Sequence, residues 1–295
     1  MTYLSNDVLN SVADALANAL GRRPIVKSLS PVSGGCINNG CVLSTSEGQF
    51  FLKWNSAEKF PGMFETEARG LKLLASTNAI YVPRVLALGE SNDTQFIAMT
   101  FIDSQPRRSD YWEQLGRNLA RLHNTQGERF GLDHSNYIGS LIQENSATES
   151  WIEFFIHQRL ENQFNLMQRN GYGDVSMKRK LEKLYLRLPS LLTETTPRLL
   201  HGDLWGGNIM VTSEGEPALI DPAVYYGHPE VDLAMTTLFG GFDEDFFEAY
   251  KEVAGLVPGY DERAVIYNLY PLMVHVNLFG GGYYQQVLAV LNRFT

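Results

Sequence analysis

The segment Leu199-Leu200-His201-Gly202-Asp203-Leu204-Trp205-Gly206-Gly207-Asn208-Ile209-Met210 places a carboxylate, Asp203, five residues ahead of an amide, Asn208. An apolar run, Ala218-Leu219-Ile220, then leads into a second carboxylate, Asp221, followed by Pro222. These residue types at this spacing suit phosphoryl transfer from ATP. One carboxylate, Asp203, orients the attacking hydroxyl and accepts its proton, while oxygens of Asn208 and Asp221 hold Mg2+ against the phosphates. Gly206 and Gly207 let the loop turn tightly enough to aim Asp203 and Asn208 into one small volume. A lone His-Gly-Asp is weak, because Gly-Asp is also ordinary turn chemistry. The full spacing, bracketed by Leu199-Leu200 and by Ala218–Ile220, is what makes the reading specific.

Such groups need a scaffold on either side of ATP. Residues 6–20 have apolar positions at helical spacing behind an Asn/Asp cap, with Gly21 as a stop. Ile25–Val32, Cys41–Thr45 and Gln49–Trp54 read as an antiparallel meander punctuated by glycine turns. A helix over 62–76 follows, then strands Val82–Leu88 and Gln95–Ile102. After Asp103 the pattern turns helical, over 111–124, 151–167, 177–193 (with Pro189 near its end), 230–240, 243–254, 261–279 and 282–293. The predicted architecture is α+β and bilobal. Its N-lobe, 1–101, is a five-stranded antiparallel sheet with one main packed helix, and its C-lobe, 102–295, is mostly helical, with a cleft between the two.

Composition narrows the partners. A net charge of −9 argues against a phosphate-backbone binder, whose affinity needs clustered Lys and Arg. Residues 1–101 carry eight basic and eight acidic side chains, and the remainder holds 16 against 25. The acidic second half is either a solvated surface or a region that attracts a cationic substrate and chelates Mg2+. No run of eighteen apolar residues is present, so no membrane partner is expected. Residues 1–7 lack the pattern of a secretory leader, and two cysteines, Cys36 and Cys41, are too few for a disulfide framework. A cytoplasmic setting is expected. Whether the chain is a monomer or a homodimer stays open.

HGDLWGGN followed by LIDPAVYYGHPEVDLAM resembles the fructosamine kinase (ketosamine 3-kinase) family, within the aminoglycoside phosphotransferase and choline kinase group. The likeness runs upstream through PVSGGCINNGCVL, FFLKWN, FETEARGLKLL, FGLDHSNYIGSLIQENS and SWIEFFIHQRL, so it spans roughly residues 25–290. Trp205 and Asn136-Tyr137-Ile138-Gly139 favour this family over its aminoglycoside-modifying relatives; Gly206 departs from it, where Ser is more usual. The resemblance implies a protein-kinase-like fold, ATP with Mg2+, Asp203 as catalytic base, and Asn208 and Asp221 as metal ligands. His201 then fits a loop-organising residue. Asp232 fits an acceptor for the catalytic-loop backbone, or a plain helix N-cap.

At the ATP end, Ser33-Gly34-Gly35-Cys36-Ile37-Asn38-Asn39-Gly40 lacks the Gly-Lys-Ser/Thr of a Walker A loop. Its glycines, with Cys36 and Asn38, would bring backbone N–H groups up to the phosphates. Lys53 lies in the otherwise apolar Phe50-Phe51-Leu52-Lys53-Trp54, where an ammonium is costly unless paired. In a kinase-like lobe it holds the α- and β-phosphates and pairs with a helix Glu. Glu67 shares a helical face with Leu71 and Leu74, whereas Glu65 sits with Arg69 and Lys72, so Glu67 is the expected partner. By resemblance, Met99-Thr100-Phe101-Ile102 is the hinge that receives adenine, and Cys36 is a candidate redox switch.

The resemblance also implies the substrate. Ketosamines, free or attached to protein, would be phosphorylated on the 3-hydroxyl, a deglycation repair. Trp205, Asn136, Tyr137 and Trp151 are candidates to line the sugar pocket, although a helical Trp such as Trp151 is more often core. Three other readings compete. One is a kinase of an aminoglycoside, choline, homoserine or free sugar. Another is an inactive nucleotide-binding pseudokinase, opposed by the presence of Lys53, Glu67, Asp203, Asn208 and Asp221 together. The last, a hydrolase using His201 and Asp203, lacks a Gly-x-Ser-x-Gly elbow.

Overall fold

The computed structural model describes residues 4–32 and 37–295. They form two compact units, Met1–Tyr111 with Ile209–Asp221, and Trp112–Asn208 with Pro222–Thr295. The division thus departs from the 101/102 boundary expected above. It comes ten residues later, and the hairpin of Ile209–Val211 and Pro217–Leu219 belongs with the first unit. Backbone bonds explain the return: Leu219 donates its N–H to Tyr81, and Arg108 to Gly215. Asp221, expected in the second lobe, therefore ends a segment of the first unit.

In the first unit, α1 (Asn6–Leu20) starts on Ser5, whose hydroxyl accepts from Val8 N–H, and stops at the left-handed Gly21. Strands β1 (Val26–Pro31), β2 (Asn39–Thr45) and β3 (Gly48–Ser56) precede α2 (Met63–Ser76), and β4 (Val85–Ser91) and β5 (Thr94–Thr100) complete an antiparallel sheet in the order β1-β2-β3-β5-β4. Alternation along β3 gives its two faces different work. Phe50 and Leu52 join Val8, Val12 and Leu16 of α1 in a core with Phe96 and Ala98. Lys53 and Asn55 face the other way, toward α2: Lys53 bonds Glu67, and Asn55 contacts Met63 Sδ at 3.1 Å.

The second unit is mainly helical. It comprises α3 (Tyr111–His123, shared at its first residue), a small hairpin β6 (Asn136–Ile138) and β7 (Leu141–Gln143), α4 (Trp151–Phe154), α5 (Asn162–Arg169), α6 (Val175–Leu191), α7 (Glu230–Leu238), α8 (Glu244–Ala254), α9 (Tyr260–Tyr267), α10 (Leu269–Phe279) and α11 (Gly282–Phe294). Strand Arg198–Leu200 pairs with Tyr225–Gly227, Leu200 opposite Tyr225. Two helices differ from the periodicity reading. The expected 151–167 helix contains a π-helical turn, Phe155–Glu161, which turns Arg159 fully into the core. The expected 261–279 helix breaks at Asn268, since Pro271 has no N–H to donate to the turn before it, and Asn268 instead donates its amide to Ala234 O.

The core of this unit holds a buried histidine with a measurable consequence. His228 lies among Trp151 and Tyr267, accepts Glu230 N–H at Nδ1 (3.1 Å), and meets Thr193 Oγ1 at Nε2 (3.1 Å). Burial first, then the charges of Arg263 and His123, pull its pKa from 6.5 down to about 3. Between those values the unfolded chain binds the proton and the native chain does not, so lowering pH through this window removes stability. The slope from this group approaches about 1.4 kcal/mol per pH unit. Urea midpoints taken at pH 7 and pH 5 should fall more for the wild type than for His228→Gln.

Candidate active site

Asp203 owes its setting to a loop whose backbone is held from below. His201 is wholly buried, and the N–H groups of His201 and Gly202 both donate to Asp232, at 2.7 and 2.9 Å. Gly202 has φ +82, and a Cβ there would stand 2.0 Å from Ala223 O, so only glycine fits this turn. Asp203 N–H points to His201 Nδ1 at 3.3 Å, which makes His201 an organiser of the loop. A 3-10 turn over Gly206–Asn208 then brings Asn208 back, where its amide nitrogen donates to Asp203 O (2.8 Å) and Asp203 Oδ2 (2.9 Å). With the nitrogen so engaged, the amide oxygen is what Asn208 can offer a cation. Trp205, 38% exposed, lays its indole over Gly207, where a Cβ would meet the ring at 2.2 Å. At Gly206 a Cβ would meet only Gly240 O, at an ordinary 3.6 Å, so this position needs no glycine and its departure from Ser costs nothing.

Asp232 is the third residue of α7, behind the N-cap Pro229, so it is not the helix cap. Burial works against its ionisation, yet His123 and the loop N–H groups keep its carboxyl below the usual range. His123 escaped the sequence reading. It is 2% exposed, with Nε2 3.1 Å from Asp232 and Nδ1 2.8 Å from Tyr250 Oη. Its spacing of four from Leu119 and eight from Leu115, on the buried face of α3, was the available signal.

In the first unit, Lys53 is 6% exposed and pairs with Glu67 Oε1 at 2.8 Å and with Asp221 Oδ1. Glu65 is exposed on the opposite side of α2. Burial alone would push the Lys53 ammonium toward neutrality, but the Asp221 and Glu67 carboxylates hold its pKa above the ordinary value. Burial raises that of Glu67, against the pull of Lys53. Asp221 has φ +53, a left-handed conformation that a non-glycine residue adopts at some cost and that Asp tolerates better than most. Asn38 accepts from Asn55 Nδ2 at 2.7 Å. Met99 and Ile102 are buried, and Thr100 N–H is engaged by Arg84 O, so β5 ends at Thr100, with Phe101 and Ile102 beyond it.

Three expectations fall elsewhere. Gly34, Gly35 and Cys36 lie outside the described residues. Asn136 does not line an open sugar pocket: it is 4% exposed and donates its amide to Val224 O at 2.8 Å. Trp151 is fully buried among Phe130, Phe154, Phe155 and Tyr267, a core residue with no face for a sugar. Tyr137 is half-buried on β6. Cys41 is 1% exposed, and burial raises its thiol to about 11, so it is inert at neutral pH.

Comparison with known proteins places the fold and the lineage. A choline kinase of Streptococcus pneumoniae superposes with a TM-score of 0.61 at 14% identity, covering 97% of this chain and 99% of that one, which identifies a protein-kinase-like fold. A chain assigned as a fructosamine-3-kinase from Thermobifida fusca gives 0.85 at 31% identity, covering 96% and 98%. Among curated sequences, a probable ketoamine kinase of Synechocystis is 39% identical over 284 residues, 96% of this chain and 95% of the relative. The chloroplastic protein-ribulosamine 3-kinase of Arabidopsis thaliana is 38% identical over 279 residues, 93% and 84%. The sequence model of the fructosamine kinase family matches residues 8–295, and the chain belongs to that family of ATP-dependent phosphotransferases acting on hydroxyl groups.

Proposed function

We propose that this chain transfers the γ-phosphate of ATP to the 3-hydroxyl of a ketosamine, with Asp203 as the base. The observation that carries the chemistry is the Asp203–Asn208 pair, a carboxylate fixed on a rigid loop by an amide whose oxygen is left for a cation. The relatives named as ketoamine and ribulosamine kinases support the acceptor. Asp203 would take the proton of the attacking hydroxyl as its oxygen closes on phosphorus, and Lys53, held by Glu67, would bind the α- and β-phosphates.

The residues fit Mg2+ as well. Asn208 and Asp221 offer the hard oxygen donors that Mg2+ takes. Bound there, Mg2+ would neutralise charge on the phosphates. Phosphate-end charge pairing also predicts that Lys53→Ala raises KM for ATP about 10- to 100-fold, the loss of a charge-assisted bond worth about 1.5–3 kcal/mol, with kcat falling less. Met99-Thr100-Phe101-Ile102, at and beyond the end of β5, is where adenine would be received. Trp205 would offer its exposed face to the sugar ring.

The test is ADP release with an acceptor panel of ribulosyl-lysine, fructosyl-lysine, an aminoglycoside, choline, homoserine and free fructose. The proposal expects the two ketosamines to have the highest kcat/KM. Faster turnover of any other member would overturn the substrate assignment while leaving the kinase chemistry standing.

A further inference from the structure

Behind the catalytic loop the second unit buries four polar side chains that the chemistry above leaves without a role. Asn136, Gln143, Asn145 and Arg159 are between 0% and 4% exposed. An apolar core of the same volume would cost less, so a buried polar network of this size calls for a reason. Its bonds run in one direction. Arg159 can only donate, and it does so to Glu144 O (2.6 Å) and Asn145 Oδ1 (2.8 Å). Asn145 must then present its nitrogen to Asn136 Oδ1 (2.9 Å), which turns the Asn136 nitrogen onto Val224 O (2.8 Å). From the other side, Tyr270 Oη donates to Gln143 Oε1 (2.7 Å), which turns the Gln143 nitrogen onto Asn136 Oδ1 (2.8 Å) and Ala223 O (3.0 Å). A donor-only guanidinium at one end and acceptor-only carbonyls at the other fix the orientations of all three amides.

The two carbonyls so captured belong to the residues that back the catalytic loop. Ala223 N–H donates to His201 O at 2.9 Å, and Ala223 O faces the Cα of Gly202 where a Cβ would come within 2.0 Å. Tyr225, next in the chain, opens the ladder opposite Leu200. Its ring also carries the Arg159 guanidinium at 3.9 Å, with Phe154 at 4.6 Å and Tyr270 at 5.3 Å. The aromatic faces and carbonyl oxygens stabilise this cation.

We infer that Asn136, oriented by Arg159 through Asn145, and Gln143, oriented by Tyr270, are positioning residues for Asp203. They set the planes of the Ala223 and Val224 peptides, against which His201 and Gly202 are seated. This inference rests on the reading of Asp203 as the base. It also gives the Asn136-Tyr137-Ile138-Gly139 segment a role that replaces the sugar contact expected from the sequence.

The experiment compares Asn136→Asp and Gln143→Glu, which keep shape but remove the donors, with Asn268→Asp, which removes the same kind of bond to Ala234 O away from the loop. The acceptor is whichever member of the panel the wild type phosphorylates fastest, so the ranking of acceptors tests the substrate and the variants test the positioning. Turnover is read well below each variant's Tm. A loop displaced by a fraction of an ångström should lower kcat about 10- to 100-fold in both network variants, with KM for ATP within about twofold of wild type. Asn268→Asp should lose comparable Tm yet keep kcat within about twofold. If Gln143→Glu does not fold, Gln143→Met, of equal length and uncharged, takes its place with the same expectation. A kcat for Asn136→Asp near that of wild type, or a loss matched by Asn268→Asp, would overturn the inference.

Discussion

Asp203→Asn is expected to lower kcat by about 10²- to 10⁴-fold with KM for ATP almost unchanged, the range typical of removing a positioned general base. The substitution is close to isosteric. The Asn side-chain oxygen can still accept from Asn208 Nδ2, which donates at 2.9 Å to Asp203 in the native loop. The backbone bonds of His201 and Gly202 to Asp232 are untouched. Fold and nucleotide binding should therefore survive, with a Tm within a few degrees of wild type, while the proton acceptor is lost. Steady-state ADP release alongside a thermal melt separates these effects. A variant that turned over within a fewfold of wild type would show that the hydroxyl loses its proton elsewhere.

Asp232→Ala should be the most damaging single change to stability. One carboxylate receives the His201 N–H, the Gly202 N–H and the His123 ring, and all three are buried. Alanine leaves those donors without an acceptor in a site 1% exposed. A cost of about 3–5 kcal/mol follows from the buried donors left unsatisfied, at about 1–3 kcal/mol each. Urea denaturation should show the unfolding free energy falling by that amount, read as a lower midpoint with m unchanged. Asp232→Asn retains one acceptor oxygen and should cost less. Equal losses for the two variants would mean that packing around α7, not hydrogen bonding to the loop, supplies the stability.

The sequence shows some of this plainly and some of it not at all. The five strands and α2 were readable because β3 alternates and because Glu67, Leu71 and Leu74 share one helical face. The Asp203–Asn208 pair was readable because the two stand five residues apart on one short loop, where a turn brings them together. Other features depend on contacts distant in the chain. Nothing local says that Ile209–Asp221 returns to the first unit, which rests on bonds from Tyr81 and Arg108. The break at Asn268 had a signal in Pro271, masked by apolar periodicity that runs through it. The π-helical turn at Phe155–Glu161 buries Arg159 together with Phe155 and Leu160, and its apolar residues alone do not distinguish it from an α-helix. Three-residue strands such as β6 and β7 are too short for period-two alternation, so their polar network was invisible beforehand. For Trp151 the core alternative stated from the sequence is the one observed: a large aromatic on an amphipathic helix usually packs, and it does.

Asp203 as the base for a ketosamine hydroxyl is tested most directly by the position of the transferred phosphate. Wild-type protein and Asp203→Asn would be incubated with ATP, Mg2+ and fructosyl-lysine, and the products followed by phosphorus and carbon NMR. The expected result is a single phosphomonoester on O3 of the sugar with the wild type, and no product above background over the same time with Asp203→Asn. Phosphate on another hydroxyl, no transfer by the wild type, or equal product from both proteins would contradict it.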